Sequence, residues 1–175
     1  MHPLYLMLVI FAGLPGVGKT TVARQLAREI GAVYLRIDTI EQAMRECGET
    51  DLGPKGYVVA GALATENLRL GRTVVADSVN PIDLTRVAWH QCATAAGTPY
   101  LDVEIICSDG QAHRKRVETR SPDISGHVQP TWEEVEQREY EEWQSDRVTI
   151  DTAHGAPEEA VEQIRRAMSS RSQTD

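Results

Sequence analysis

The run Gly13-Leu14-Pro15-Gly16-Val17-Gly18-Lys19-Thr20 sets glycines, a lysine and a hydroxyl at the spacing G-x-x-x-x-G-K-[ST]. Those residue types can wrap phosphate. Glycines let successive backbone N–H groups turn inward, Lys19 can reach the terminal phosphates, and the Thr20 hydroxyl can bind Mg²⁺. With Thr21 behind it, the run reads as a loop that holds a nucleoside triphosphate.

Such a loop works only between a strand and a helix, because the helix N-terminus supplies free N–H groups and a favourable dipole. Leu6 to Ala12 is an apolar run of strand length, and Val22, Leu26 and Ile30 recur at helical spacing after the loop. Further apolar, β-branched runs at Val33–Ile37, Thr73–Ala76, Val103–Cys107 and Val148–Ile150 read as four more strands. Helical patterns fall at about 18–30, 39–47, 55–70, 82–96, 109–119, 131–144 and 157–168. Gly31 and Gly71 stop helices, Thr131-x-x-Glu134 is a capping box, and Pro157 opens the last helix. Strand–helix alternation of this kind makes an α/β fold with a parallel sheet covered by helices on both faces.

Ligands bind such sheets at the carboxyl ends of the strands, so polar residues there come first. Asp38 ends the second strand and is a candidate to orient or deprotonate an acceptor hydroxyl, though Asp also caps helices well. Asp77 ends the third strand and is a candidate for Mg²⁺ or the acceptor, with Asn80 and Arg86 as weaker substrate contacts. Arg114, Lys115, Arg116 and Arg120 form a dense basic cluster after the fourth strand. On a helix Arg116 and Arg120 share a face and could point at phosphates, while Arg114 faces elsewhere and is assigned to the nucleotide. The segment Ser121 to Gly126 reads as a mobile lid, with His127 beside it as a lesser substrate candidate. His2, His90, His113 and His154 show no metal spacing, and Trp132, Tyr140 and Trp143 read as packing residues. The glutamates from Glu133 to Glu142 read as an exposed helix face.

The 175 residues are expected to form one domain over 1–175, with a lid at about 109–130 and a frayed tail at 169–175. A net charge of −8 argues against broad affinity for nucleic acid or anionic membranes. Cys47, Cys92 and Cys107 are odd in number and widely spaced, which suits reduced thiols in the cytoplasm. The apolar stretch from Leu4 to Ala12 leads straight into the glycine loop and has no basic residues before it, so it reads as neither signal peptide nor membrane span.

These residues resemble the small P-loop kinases of the nucleoside-monophosphate-kinase-like fold, in particular the predicted kinases described as an AAA-type ATPase domain. The resemblance spans nearly the whole chain. It rests on the loop at 13–21, Asp38, Tyr57, Ala76-Asp77-Ser78-x-Asn80, Arg116-x-x-x-Arg120, Pro130-Thr131-Trp132 and Ile150-Asp151-Thr152. Chloramphenicol phosphotransferase, gluconate kinase and the kinase domain of polynucleotide kinases look like more distant relatives.

The resemblance implies a P-loop NTPase fold with sheet order 2-3-1-4-5 and a helical lid, ATP as donor, Mg²⁺ as cofactor, and a small hydroxyl-bearing acceptor. It assigns acceptor activation to Asp38, charge stabilisation to Arg116 and Arg120, substrate contact to Tyr57, and the adenine border to Thr152. Many relatives carry an arginine three residues after the aspartate. Here that position is Glu41 and the nearest arginine is Arg45, the remaining substrate candidate, which argues against a strongly anionic acceptor at that point. The resulting expectation is an ATP-dependent small-molecule kinase, monomeric or homodimeric. The alternatives are a polynucleotide 5′-hydroxyl kinase, which would need a basic channel, and an NTP-binding switch or ATPase with no acceptor.

Overall fold

The computed structural model describes residues 5–171. In chain order the elements are β1 (Leu8–Ala12), α1 (Lys19–Ile30), β2 (Val33–Arg36), α2 (Ile37–Glu46), α3 (Lys55–Arg69), β3 (Val74–Asp77), α4 (Asp83–Ala96), β4 (Tyr100–Ile106), α5 (Gly110–Thr119), α6 (Trp132–Glu136), β5 (Val148–Asp151) and α7 (Pro157–Arg171). The five strands form one parallel sheet in the order β2-β3-β1-β4-β5.

β1 is central because every residue in it is apolar and it pairs on both sides, Leu8 lying opposite Val74 of β3 and Tyr100 of β4. Side chains alternate across the sheet, so this all-apolar strand feeds two cores at once. Val9 and Phe11 pack with Val22, Leu26, Val161 and Ile164 from α1 and α7. Leu8 and Ile10 pack with Ala60, Ala64, Leu68, Trp89 and Ala93 from α3 and α4. A polar substitution in β1 would therefore bury an unpaired group in one core or the other.

Boundaries differ from the sequence reading where local chemistry takes over. β2 stops at Arg36, so Ile37 and Asp38 already belong to the first turn of α2, and Asp38 makes no capping hydrogen bond. α7 runs on to Arg171, past the expected start of a frayed tail. Ser169 Oγ lies 3.0 Å from the Tyr5 hydroxyl and Arg171 Nη1 donates to Tyr100 O at 2.8 Å. The rest of that tail, like His2 and Leu4, lies outside the described residues.

The largest difference concerns the expected helix at 131–144, which ends at Glu136. Its capping box is present, with Thr131 and Glu134 bonded reciprocally. Beyond it the backbone is claimed by Arg86, which donates to the carbonyls of Glu141 at 2.8 Å and Glu142 at 3.3 Å. The Glu141 N–H donates to Pro81 O instead of to a helical partner, and the rings of Trp143 and Tyr140 lie 4.1 and 5.3 Å from the Arg86 guanidinium carbon. Tertiary contacts thus outcompete a helical pattern rich in glutamate, whose propensity is worth only tenths of a kcal/mol per residue.

Arg86 is 1% exposed and also donates to Asn80 O, so its substitution touches several buried acceptors together. Arg86→Ala is expected to lower the unfolding free energy by about 3 kcal/mol through stranded carbonyls and the lost cation–π stack. Urea denaturation measures this directly. An unchanged midpoint would show that Arg86 does not hold the 137–147 segment.

Candidate active site

The shape of the phosphate loop depends on its glycines. Gly13, Gly16 and Gly18 have φ of 135°, 86° and 97°, a left-handed region closed to most side chains. A Cβ on Gly13 would also collide with the Ile105 carbonyl, and one on Gly16 with Val117. The loop is braced from three sides. Gly13 N–H donates to Val79 O, His113 Nε2 lies 2.8 Å from Pro15 O, and the Thr152 hydroxyl donates to Val17 O at 2.6 Å. A carbonyl only accepts, so the Pro15 contact makes His113 Nε2 the protonated nitrogen.

The loop opens into a cleft of about 1040 Å³. Gly16, Gly18, Lys19, Thr20 and Thr21 line it together with Asp38, Glu41 and Arg45 from α2, Arg116 and Arg120 from α5, and Asp123 and His127 from the segment that follows. Lys19 Nζ donates to Leu14 O at 3.2 Å, and burial lowers the ammonium's pKa even though Asp77 and Asp38 pull it the other way. Asp77 closes β3 at 2% exposure. Its Oδ2 accepts from the Thr20 hydroxyl at 2.8 Å and the Tyr34 hydroxyl at 2.6 Å. Burial and the neighbouring Asp77 carboxylate push the Tyr34 phenol well above its usual pKa, so it stays a donor.

Arg36 lies across the site. It is 9% exposed, its Nη2 meets Asp38 Oδ2 at 3.2 Å, and its Nη1 meets Asp123 Oδ2 at 2.6 Å. Burial works against the guanidinium charge, but the Asp123 hydrogen bond and the carboxylates of Asp38 and Asp77 raise its pKa. Burial raises the pKa of Glu41 and lowers that of Arg120. A smaller cavity of about 380 Å³ adjoins the cleft, with Gly18, Thr21 and Arg116 bordering both. Thr152 and Ile150 from the end of β5 and Pro157 and Ala160 from α7 close its far side.

Several sequence candidates occupy other places. Asn80 is fully buried and braces the loop's base: its φ is 45°, its Nδ2 donates to Phe11 O at 2.8 Å, and its Oδ1 accepts from Trp89 Nε1. Arg86 faces the 137–147 segment and not the cleft. Arg114 pairs with Glu118 at 2.7 Å on the exposed side of α5 and does not line the cleft. Tyr57 sits in a separate apolar groove between α3 and α4, its hydroxyl accepting from Asn80 N–H at 3.3 Å. Arg116 and Arg120 also part company. Arg116 is tied to Thr152, donating to its Oγ1 and its carbonyl at 2.8 Å each, whereas Arg120 reaches only Pro130 O at 3.4 Å.

Arg24, Arg36 and Asp123 are cleft residues that the spacing did not single out. Arg36 carried a signal, being a charge at the end of an otherwise apolar strand beside Asp38. His113 carried none, because its partner is a backbone carbonyl 98 residues away in sequence.

A family model described as an AAA domain matches residues 8–170. The chain belongs to the AAA domain family. No curated protein matches the sequence. Among solved structures, this AAA domain is similar to a kinase candidate from Chloroflexus aurantiacus, with 21% identity, TM-score 0.73, and 94% and 96% of the two chains covered. It is also similar to the Mycobacterium tuberculosis APS kinase solved with AMPPNP and APS, with 16% identity, TM-score 0.69, and 91% and 95% covered. A gluconokinase from Sinorhizobium meliloti matches with 17% identity, TM-score 0.63, and 98% and 99% covered. Together with the sheet order, these likenesses make the AAA domain a P-loop NTPase fold of the small-kinase kind.

The donor set of the loop also fits Mg²⁺. The Thr20 hydroxyl at the start of α1 and the Asp77 carboxylate at the end of β3 are hard oxygen donors already side by side, and Mg²⁺ commonly takes one or two protein oxygens with phosphates and water. Among the described residues no group of three or more His, Cys, Asp and Glu side chains gathers as a metal set. No helix among them is long and apolar enough to cross a membrane.

Proposed function

We propose that this AAA domain transfers the γ-phosphoryl group of ATP to a hydroxyl of a small molecule. The observation that carries the reading is that the Asp38 carboxylate lines the same cleft as Lys19 and Thr20. A protein that only binds a triphosphate, as a pure switch does, has no need of a second carboxylate opposite the loop. The likeness to proteins named APS kinase and gluconokinase, both of which act on small molecules, supports the same reading.

In this reading the loop N–H groups and Lys19 hold the phosphates, and their negative charge stabilises an ammonium that burial disfavours. Mg²⁺, when bound by Thr20 and Asp77, supplies positive charge against the phosphate oxygens. Asp38 holds the acceptor O–H and takes its proton as the acceptor oxygen bonds to the γ-phosphorus. The bond from that phosphorus to the β–γ bridging oxygen breaks, and ADP leaves. Arg120, with few partners of its own, balances charge spread over the equatorial oxygens. Arg116 positions the wall between cleft and side cavity through Thr152, where the base of the nucleotide lies. Free thiols at Cys47, Cys92 and Cys107 accord with a cytoplasmic setting.

The test is transfer of label from γ-labelled ATP across a panel of sugars, sugar acids, nucleosides and phenicol-like or aminoglycoside-like alcohols. Labelled product with at least one acceptor is the expected result. Slow hydrolysis that no alcohol changes would replace the kinase reading with that of an ATPase or switch.

A further inference from the structure

The cleft is far more basic than the chain. Seven Lys and Arg side chains line it against four carboxylates, in a protein of net charge −8. Part of that excess serves the triphosphate, but two arginines stand apart from the loop and converge on one point. Arg24 Nη1 and Arg36 Nη1 reach the same oxygen, Asp123 Oδ2, at 2.8 and 2.6 Å. Asp123 comes from the Ser121–Gly126 segment, and its side chain is 38% exposed. That segment thus inserts one carboxylate oxygen between two guanidiniums, the arrangement in which an arginine pair grips a carboxylate or phosphate.

The pair also has unused capacity. Arg36 is nine-tenths buried, and its Nε has no hydrogen-bond partner, lying 4.0 Å from Asp77 Oδ2. Arg120 Nε and His127 Nδ1, on residues lining the same cleft, are likewise buried and unpartnered. An unmade hydrogen bond on a buried polar group is costly, and two unpartnered guanidinium nitrogens in one cleft point to a ligand with several acceptor oxygens.

We propose that Arg24 and Arg36 form an anion subsite for the acceptor, specific for a carboxylate or a phosphate monoester, and that Asp123 is a built-in occupant which the acceptor's anionic group displaces. That the bound anion belongs to an acceptor rests on the kinase reading; the anion subsite itself does not. Because Arg36 Nη2 also holds Asp38, one guanidinium links the anionic end of the acceptor to the residue that faces its hydroxyl. Glu41 occupies the place where many relatives carry an arginine. The anion is instead gripped from the other side of Asp38, by Arg36 two residues before it and Arg24 on α1. Loop and acceptor then exchange places: binding frees the 121–126 segment to move, so the contact that sets Asp123 between the two arginines makes lid movement depend on an anionic acceptor.

The test reads binding, so that failure of the kinase reading does not obscure it. Protein saturated with Mg²⁺ and AMPPNP, which fills the phosphate loop, is titrated with inorganic phosphate and, separately, with malonate at fixed ionic strength. Asp123→Asn should tighten binding of at least one of these anions by about tenfold, because an amide competes poorly for two guanidiniums. Arg24→Gln in the Asp123→Asn background should remove that gain, and Glu158→Gln, a matched charge change on α7, should leave binding unchanged. Preference for phosphate assigns a phosphomonoester acceptor, and preference for malonate a carboxylate one. Equal anion affinity in the wild type and Asp123→Asn would overturn the proposal. So would a gain that survives Arg24→Gln or is reproduced by Glu158→Gln.

Discussion

Asp38→Asn should slow phosphoryl transfer by about 10²–10⁴-fold while leaving ATP affinity within about twofold, the range associated with loss of a positioned general base. Asparagine keeps the size and one acceptor oxygen of aspartate, so the acceptor can still be oriented, but it cannot take the hydroxyl proton. Asp38 is partly open to the cleft, and its one hydrogen bond is to Arg36 Nη2 at 3.2 Å. The nucleotide loop does not depend on it, since the loop is braced by Val79, His113 and Thr152. Single-turnover rates at several ATP concentrations separate the two quantities. Transfer within about threefold of wild type would leave Asp38 an orienting group at most, and a matching loss of ATP affinity would relocate its role to the donor side.

Lys19→Met should act with opposite signs on binding and on stability. A charge-assisted contact to phosphate is worth about 1.5–3 kcal/mol, so ATP affinity should fall by about 10- to 100-fold. The unliganded protein should nevertheless become more stable. Lys19 is a buried ammonium with a single hydrogen bond, to Leu14 O, and burial disfavours its charge; methionine matches its length without that penalty. Thermal melting with and without MgATP shows both effects at once. The expected pattern is a higher melting temperature for the unliganded variant and loss of most of the upward shift that ATP produces in the wild type. A variant that melts lower without ligand would mean that the lysine's charge is satisfied in the empty loop.

The two predictions rest on residues of unequal legibility. The loop, the five strands and their parallel arrangement could be read because each depends on local pattern: glycines at fixed spacing, apolar runs, and alternation with helices; the strand order followed from the family resemblance. Asp77 was legible for the same reason, as a carboxylate closing an apolar strand. What failed to be legible is what depends on distant backbone. Arg86 and Asn80 follow β3 as substrate residues would, yet both spend their side chains on carbonyls brought near by the fold, Glu141 and Glu142 for one and Phe11 for the other. The helix expected through 144 failed with them, because its carbonyls are the partners Arg86 takes. Arg114 and Arg116 are two residues apart in one basic cluster, and only the helix orientation decides which of them meets Thr152. The Arg24–Asp123–Arg36 contact joins three elements and leaves no spacing to detect.

Thr152 carries a consequence for how the molecule comes into being. Its hydroxyl reaches Val17 across 135 residues of sequence, and its backbone N–H donates to Ile106 O at the end of β4. On a ribosome the glycine loop emerges 135 residues ahead of Thr152, so although Val79 and His113 follow sooner, its third brace is missing until β5 has been made. The loop's sequence is therefore old by the time its shape is finished. ATP can reward only a completed fold, and a stalled or shortened chain ending before β5 would carry an intact phosphate-binding motif with nothing to hold its wall in place.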